Sequence, residues 1–143
     1  MRIQLAKRKA CGILACLMGK RILLVEDNPA TVDVIQKELE FLGYESVVAK
    51  DGMEAIEMAL AQLPDLIIMD ISLPKVDGLK ATSMIRSNPK IQSIPILAAT
   101  ARALPGDREK CLQGGCDDYI AKPFTHRQLG AAIEKLLAKI LSA

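Results

Sequence analysis

Pro64-Asp65-Leu66-Ile67-Ile68-Met69-Asp70-Ile71-Ser72-Leu73-Pro74 is the stretch that decides the fold. Leu66 to Met69 is a short uninterrupted apolar run closed by an aspartate. Alternation would mark a strand with one wet face; a continuous run marks a strand buried on both faces, as in a parallel sheet covered by helices. The same unit recurs in both directions. Upstream, Arg21 to Val25 is a β-branched apolar run ending in Glu26-Asp27. Asn28 supplies an N-cap and Pro29 a first helical residue. Val32, Ile35, Leu39 and Leu42 follow at helical spacing, and Gly43 stops the helix. Glu45 to Ala49 predicts a second strand and Asp51-Gly52 a turn. Ala55, Ile56, Ala59 and Leu60 mark a second helix, broken by Pro64. Downstream, Leu73-Pro74 and Asp77-Gly78 form a loop, and Leu79 to Arg86 a third helix ended by Asn88-Pro89. Ile94 to Ala99 is a fourth strand closing on Thr100, and Pro105-Gly106-Asp107 opens a fourth helix that Gly114-Gly115 stops. Asp118 to Ala121 is a short fifth strand, followed by Lys122-Pro123. Thr125 caps a last helix with Leu129, Ile133, Leu136, Leu137 and Ile140 on its apolar face.

Five strand–helix units predict an α/β fold: a doubly wound parallel sheet with helices on both faces. Ligands of such folds bind beyond the carboxyl ends of the strands. Those ends carry Glu26 and Asp27, Asp70, Thr100 and Lys122. Clustered carboxylates repel one another unless a cation neutralises them. Hard oxygen ligands suit Mg²⁺, which keeps several waters and readily shares a phosphate. A lysine offers a point charge to an oxyanion, a threonine offers a hydrogen bond, and a carboxylate can act as a nucleophile. Together these groups suit metal-assisted phosphoryl transfer onto an aspartate. Singly, each has an ordinary structural reading: a helix N-terminus, a loop cap, β-propensity, a surface lysine.

Composition narrows the field. The 143 residues include 19 basic and 17 acidic side chains, are 50% apolar, and contain only 3% aromatics with no tryptophan. Residues 1–17 hold four basic side chains (Arg2, Lys7, Arg8, Lys9) and no acid, whereas the rest carries 15 basic against 17 acidic. The body therefore offers no electrostatic or stacking case for nucleic acid. No apolar run reaches the roughly 18 residues of a membrane span. Cys11/Cys16 and Cys111/Cys116 share an x4 spacing that does not match a zinc ribbon, so reduced thiols are expected. Residues 1–17 read first as a leader ahead of a natural start at Met18, next as an extension, and last as an export signal. Residues 18–143 form the domain.

As a set, these stretches resemble the response-regulator receiver family of two-component signalling. The matching motifs are Ile22-Leu23-Leu24-Val25-Glu26-Asp27-Asn28, the 64–74 stretch with Asp77-Gly78, Ile94-Pro95-Ile96-Leu97-Ala98-Ala99-Thr100-Ala101, and Gly114-Gly115-Cys116-Asp117-Asp118-Tyr119-Ile120-Ala121-Lys122-Pro123-Phe124. Asp27, Asp70, Thr100 and Lys122 are spaced 43, 30 and 22 positions apart. The resemblance runs from Lys20 to about Leu141 and implies a flavodoxin-like receiver fold with strand order 2-1-3-4-5. It implies that Asp70 accepts a phosphoryl group, and that Glu26, Asp27, Asp70 and the Ser72 backbone carbonyl hold Mg²⁺, with Glu26 reaching the metal through water. Thr100 and Lys122 would contact the phosphoryl oxygens, Tyr119 would be the aromatic switch, and Lys122–Pro123 would be cis.

The implied donor is a sensor histidine kinase or a histidine phosphotransfer protein in the cytoplasm. The implied target binds the face made by the fourth helix, fifth strand and fifth helix, roughly Pro105 to Ile140. No catalysis is expected beyond the chain's own phosphorylation and dephosphorylation, and the chain is expected to be a monomer or a phosphorylation-promoted dimer. The short stretch after Leu141 predicts no DNA-binding output domain. The alternative is an interaction module of the same fold that needs no phosphorylation. A flavodoxin-like electron carrier conflicts with Glu26-Asp27-Asn28-Pro29, where acids would repel a flavin phosphate. An aspartyl phosphatase would need an acid/base at the position of Ser72.

Overall fold

The computed structural model describes residues 19–71, 78–100 and 106–141. Residues 1–17, Ser72, Leu73-Pro74, Asp77 and Pro105 lie outside the described residues, as do the side chains of Asp107, Ile140 and Leu141. The elements, in chain order, are β1 (Arg21–Val25), α1 (Pro29–Phe41), β2 (Glu45–Ala49), α2 (Gly52–Gln62) and β3 (Leu66–Asp70). They continue with α3 (Gly78–Arg86), β4 (Ile96–Thr100), α4 (Asp107–Gln113), β5 (Asp118–Ala121) and α5 (His126–Leu141). All neighbouring strands pair in parallel, in the order β2-β1-β3-β4-β5.

Every residue of β3 and β4 is buried, which explains why their sequences lack polar alternation. β1, β3, β4 and β5 send alternate residues into two cores. One holds Leu23, Ile67, Met69 and Ala98 against Ala55 and Ala59 of α2, Ala81 and Ile85 of α3, and Cys111 of α4. The other holds Ile22, Leu24, Ile68 and Ala99 against Ile35 and Leu39 of α1 and Leu129, Ile133, Leu136 and Leu137 of α5. Burying each large aliphatic side chain is worth roughly 1.5–3 kcal/mol relative to exposure, so the two cores dominate the stability.

The helix starts follow local chemistry. Asn28 Oδ1 accepts from the amides of Ala30 and Thr31, at 2.9 and 3.3 Å. Thr125 and Gln128 form a reciprocal capping box at the start of α5, with bonds of 3.1 and 2.9 Å. Three expectations shift. Asp51-Gly52 does not form a separate turn: Asp51 is the N-cap of α2, accepting from Glu54 N at 2.9 Å, and Gly52 is its first residue. Leu60 does not join the core face and is 37% exposed. β4 begins at Ile96 because Ile94 N is turned back to Ile91 O, at 3.1 Å. Pro95 has no N–H and joins the ladder only through its carbonyl, which accepts from Ile67 N at 2.9 Å. The Lys122–Pro123 bond is cis, and Cys111 and Cys116 are buried and in no disulfide among the described residues.

Candidate functional site

Strand register brings the predicted groups to one rim. Val25 pairs with Met69, Asp70 with Ala99 and Thr100 with Ala121, so β1, β3, β4 and β5 end at one level. Backbone bonds carry the order past the strand ends: Glu26 N to Ala49 O at 2.9 Å, Ile71 N to Ala99 O at 3.1 Å, and Lys122 N to Thr100 O at 2.8 Å. Each of these side chains therefore stands at a hydrogen-bonded β-strand terminus.

Carboxylate oxygens of Glu26, Asp27 and Asp70 all lie within 4.8 Å of one another. Glu26, Asp70 and Thr100 are buried, at 3%, 6% and 4% exposure, and Asp27 is exposed. Lys122 Nζ donates to Glu26 Oε1 and stands 3.8 Å from Asp70 Oδ2. Three acids against one lysine leave excess negative charge on a pocket of hard oxygen donors. That donor set fits a divalent cation such as Mg²⁺, with Asp27 open to solvent. Ser72, expected to add a backbone carbonyl, lies outside the described residues.

Thr100 and Tyr119 share a sheet face. Ala98 and Tyr119 point into the same core, and Thr100 is two residues beyond Ala98. With Tyr119 paired to Ala98 and Thr100 to Ala121, the two are diagonal neighbours, close enough for an aromatic ring and a threonine to interact.

Three features were not evident from the sequence as functional. Gly78 opens α3 directly against the Asp70 peptide: a Cβ there would lie 2.3 Å from Asp70 O and 2.8 Å from Ile71 Cα. Its signal, the Asp77-Gly78 pair, reads as a loop and as part of the receiver motif, with no role marked for the glycine itself. Arg86 bonds Gly115 O at 2.8 Å, Gln92 O at 2.6 Å, Ile94 O at 2.7 Å and Asp117 Oδ2 at 2.6 Å, tying α3 to the starts of β4 and β5. Its partners are mostly carbonyls, which no sequence pattern marks. Lys122 also borders an apolar groove of about 490 Å³ lined by Thr31, Val34, Glu38, Pro123 and Phe124. One carboxylate oxygen of Glu38 is buried without a hydrogen-bond partner among the described residues.

The response regulator receiver domain model matches residues 22–134, and the chain belongs to that family of two-component signalling proteins. The polar-differentiation response regulator DivK of Brucella anthropi is 41% identical over 108 residues, which span 76% of this chain and 88% of that protein. The receiver domain of a sensor histidine kinase from Pseudomonas aeruginosa, crystallised with a magnesium ion coordinated in its active site cleft, is 45% identical. It superposes with a TM-score of 0.79 over 84% of this chain and 98% of that one. The Vibrio cholerae chemotaxis protein CheY4 is 26% identical with a TM-score of 0.77, over 83% of this chain and 98% of that one. No helix among the described residues is long and apolar enough to cross a membrane.

Proposed function

We propose that this receiver accepts a phosphoryl group on Asp70 from a phosphohistidine donor and thereby switches a protein-binding face. The observation that carries the reading is the placement of Asp70: a buried carboxylate within 4.8 Å of two further acids and 3.8 Å from the Lys122 ammonium. An Asp70 oxygen attacks phosphorus, and the phosphorus–nitrogen bond to the donor imidazole breaks with its electron pair leaving on nitrogen. Lys122 compensates charge on the oxygens of the arriving group, and Thr100 offers a hydroxyl from the next strand end. Glu26, Asp27, Asp70 and the Ser72 carbonyl would hold Mg²⁺, which when bound neutralises the acids and the phosphoryl oxygens.

The donor is a sensor histidine kinase or a histidine phosphotransfer protein of the cytoplasm, and the apolar groove that Lys122 borders offers it a seat. The chain turns over no other substrate; it promotes its own phosphorylation and dephosphorylation only. The signal leaves through α4, β5 and α5, where Tyr119 follows Thr100. Incubating the protein with acetyl phosphate and Mg²⁺ and measuring its intact mass tests the reading. One added phosphoryl group, absent when Mg²⁺ is chelated, is the expected result. An unchanged mass would favour an interaction module that works without phosphorylation.

A further inference from the structure

One stripe of α3 runs from the Asp70 peptide to the turn that leads into β5. Gly78, Thr82 and Arg86 recur every fourth residue and so lie one above the other on a single helix face. At the first turn, Gly78 N donates to Ile71 O at 3.2 Å, and the glycine lies so close to the Asp70–Ile71 peptide that no side chain fits between them. At the last turn, the Arg86 guanidinium holds Gly115 O at 2.8 Å and Asp117 Oδ2 at 2.6 Å. Thr82 stands between these ends and is wholly buried. Its hydroxyl donates to Gly78 O at 2.7 Å and lies 3.8 Å from Cys116 Sγ. A hydroxyl carries one proton, so the Cys116 thiol is the donor to Thr82. The threonine methyl is backed by Gly115, where a Cβ would come within 3.3 Å of Thr82 Cγ2. A threonine inside a helix ordinarily turns its hydroxyl onto the carbonyl four residues back, with no functional meaning. Thr82 differs in what its two partners hold. The carbonyl belongs to the residue seated on Asp70, and the thiol belongs to the turn whose Asp117 N donates to Ile96 O at 2.8 Å to start β5.

We infer that Thr82 is a positioning residue for Asp70, holding the Asp70–Ile71 peptide against the β5 turn through Gly78 on one side and Cys116 on the other. This rests on the phosphoacceptor reading of Asp70. Thr82 touches no reacting group. The chain from the Cys116 thiol to the Thr82 hydroxyl to the Gly78 carbonyl fixes the first turn of α3. That turn in turn fixes the backbone from which the Asp70 carboxylate projects. A nucleophile held by its backbone loses rate steeply when the backbone shifts, because in-line attack depends on alignment. The link also joins Asp70 to the start of β5 by a path that does not pass through Thr100 and Tyr119. Valine in place of Thr82 fills nearly the same space but cuts the chain at both bonds, whereas serine keeps both bonds and gives up only the methyl.

Wild type, Thr82→Val and Thr82→Ser are compared by the rate at which acetyl phosphate with saturating Mg²⁺ adds mass to the intact protein, at a temperature where each is folded by urea titration. Thr82→Val should label about fivefold slower or more, and Thr82→Ser within about twofold of wild type. Amide spectra recorded without metal or phosphate should show Thr82→Val shifting Asp70 and Ile71 as well as Gly115 to Asp117, with Thr82→Ser leaving Asp70 and Ile71 in place. A side chain that only fills the core gives the reverse order, because serine leaves the larger void and valine almost none. Labelling of Thr82→Val at the wild-type rate, or equal slowing in Thr82→Ser, would overturn the assignment. Should Thr82→Val fail to fold, Thr82→Ala against Thr82→Ser gives the same contrast, since both lack the methyl and only serine keeps the hydroxyl. The amide spectra need no phosphoryl group, so they judge the link by themselves. A wild-type protein that takes up no phosphoryl group at all would instead sink the phosphoacceptor reading.

Discussion

Gly78 shows how little room surrounds Asp70. Its absent side chain is replaced by the backbone of Asp70 and Ile71, at 2.3 and 2.8 Å from where a Cβ would sit, and Gly78 N donates to Ile71 O at 3.2 Å. Gly78→Ala must push α3 or the Asp70 peptide aside. The expected cost is about 1–3 kcal/mol in urea unfolding, as for overpacking, with slower labelling by acetyl phosphate. Gly106→Ala is the contrast: nothing lies within 4 Å of its Cβ position, so only the strain of φ +89° remains, about 1–2 kcal/mol with labelling unaffected. Cys116 gives a pH test. Burial pushes its thiol up from 9.0 to about 11, partly offset by the hydrogen bond with Thr82. A pKa raised in the folded state favours the protonated thiol there. Its contribution is present below pH 9.0 and is lost as pH climbs towards about 11. Wild type should lose on the order of 2 kcal/mol more than Cys116→Ala between those limits, measured by urea unfolding at each pH. Equal losses would remove Cys116 from the titration, since Tyr44, raised to about 12 by burial and Glu134, titrates alike in both proteins. The rim residues were legible at this scale because strand ends are legible. The bond between Lys122 and Glu26 was not: it depends on rotamers across 96 positions.

Elements were read well where one force decides them. β3 and β4 are wholly buried and announce themselves as apolar runs. The end of α1 was marked by Gly43, which takes φ +91° after Leu42 closes the helix. Errors arose where two readings compete for one residue pair. Asp51-Gly52 suits a turn as well as an N-cap, and only the Glu54 amide at 2.9 Å resolves it. Leu63 ends α2 in the left-handed region at φ 45°, a place where glycine would have been the signal. The Thr125–Gln128 box was foreseen in part, through its threonine. Thr125→Ala should cost about 1 kcal/mol in urea unfolding without altering phosphorylation. A change below a few tenths would mean that core packing of Leu129 and Ile133 alone holds the start of α5.

For the whole molecule, the parallel sheet gathers the charged groups at one rim and leaves the packing to its two faces. The acids and Lys122 gather at the strand ends, while Thr100 and Tyr119 lie on one face of β4 and β5 beside the core formed with α2, α3 and α4. A phosphoryl group adds about −1.5 to −2 charges at the rim, and the diagonal pair offers a route from that charge to a packing change. Tyr119→Ala should keep acetyl phosphate labelling within about twofold of wild type while confining phosphorylation-induced amide shifts to the rim, as expected when a two-state element is removed. In wild type the shifts should extend into α4 and α5, and an equally wide spread in the variant would exclude the ring as the relay. The most direct measurement concerns Asp70 itself. Wild type and Asp70→Asn are incubated with acetyl phosphate and Mg²⁺, digested, and the peptide spanning β3 is weighed. Phosphoryl transfer to Asp70 predicts one phosphoryl group on the wild-type peptide and none on the Asn protein, because amide nitrogen is a poor nucleophile; the Asn protein stays folded because the amide has nearly the shape of the carboxylate. Wild-type levels of phosphoryl group on the Asn protein, or its location on any other peptide, would contradict it.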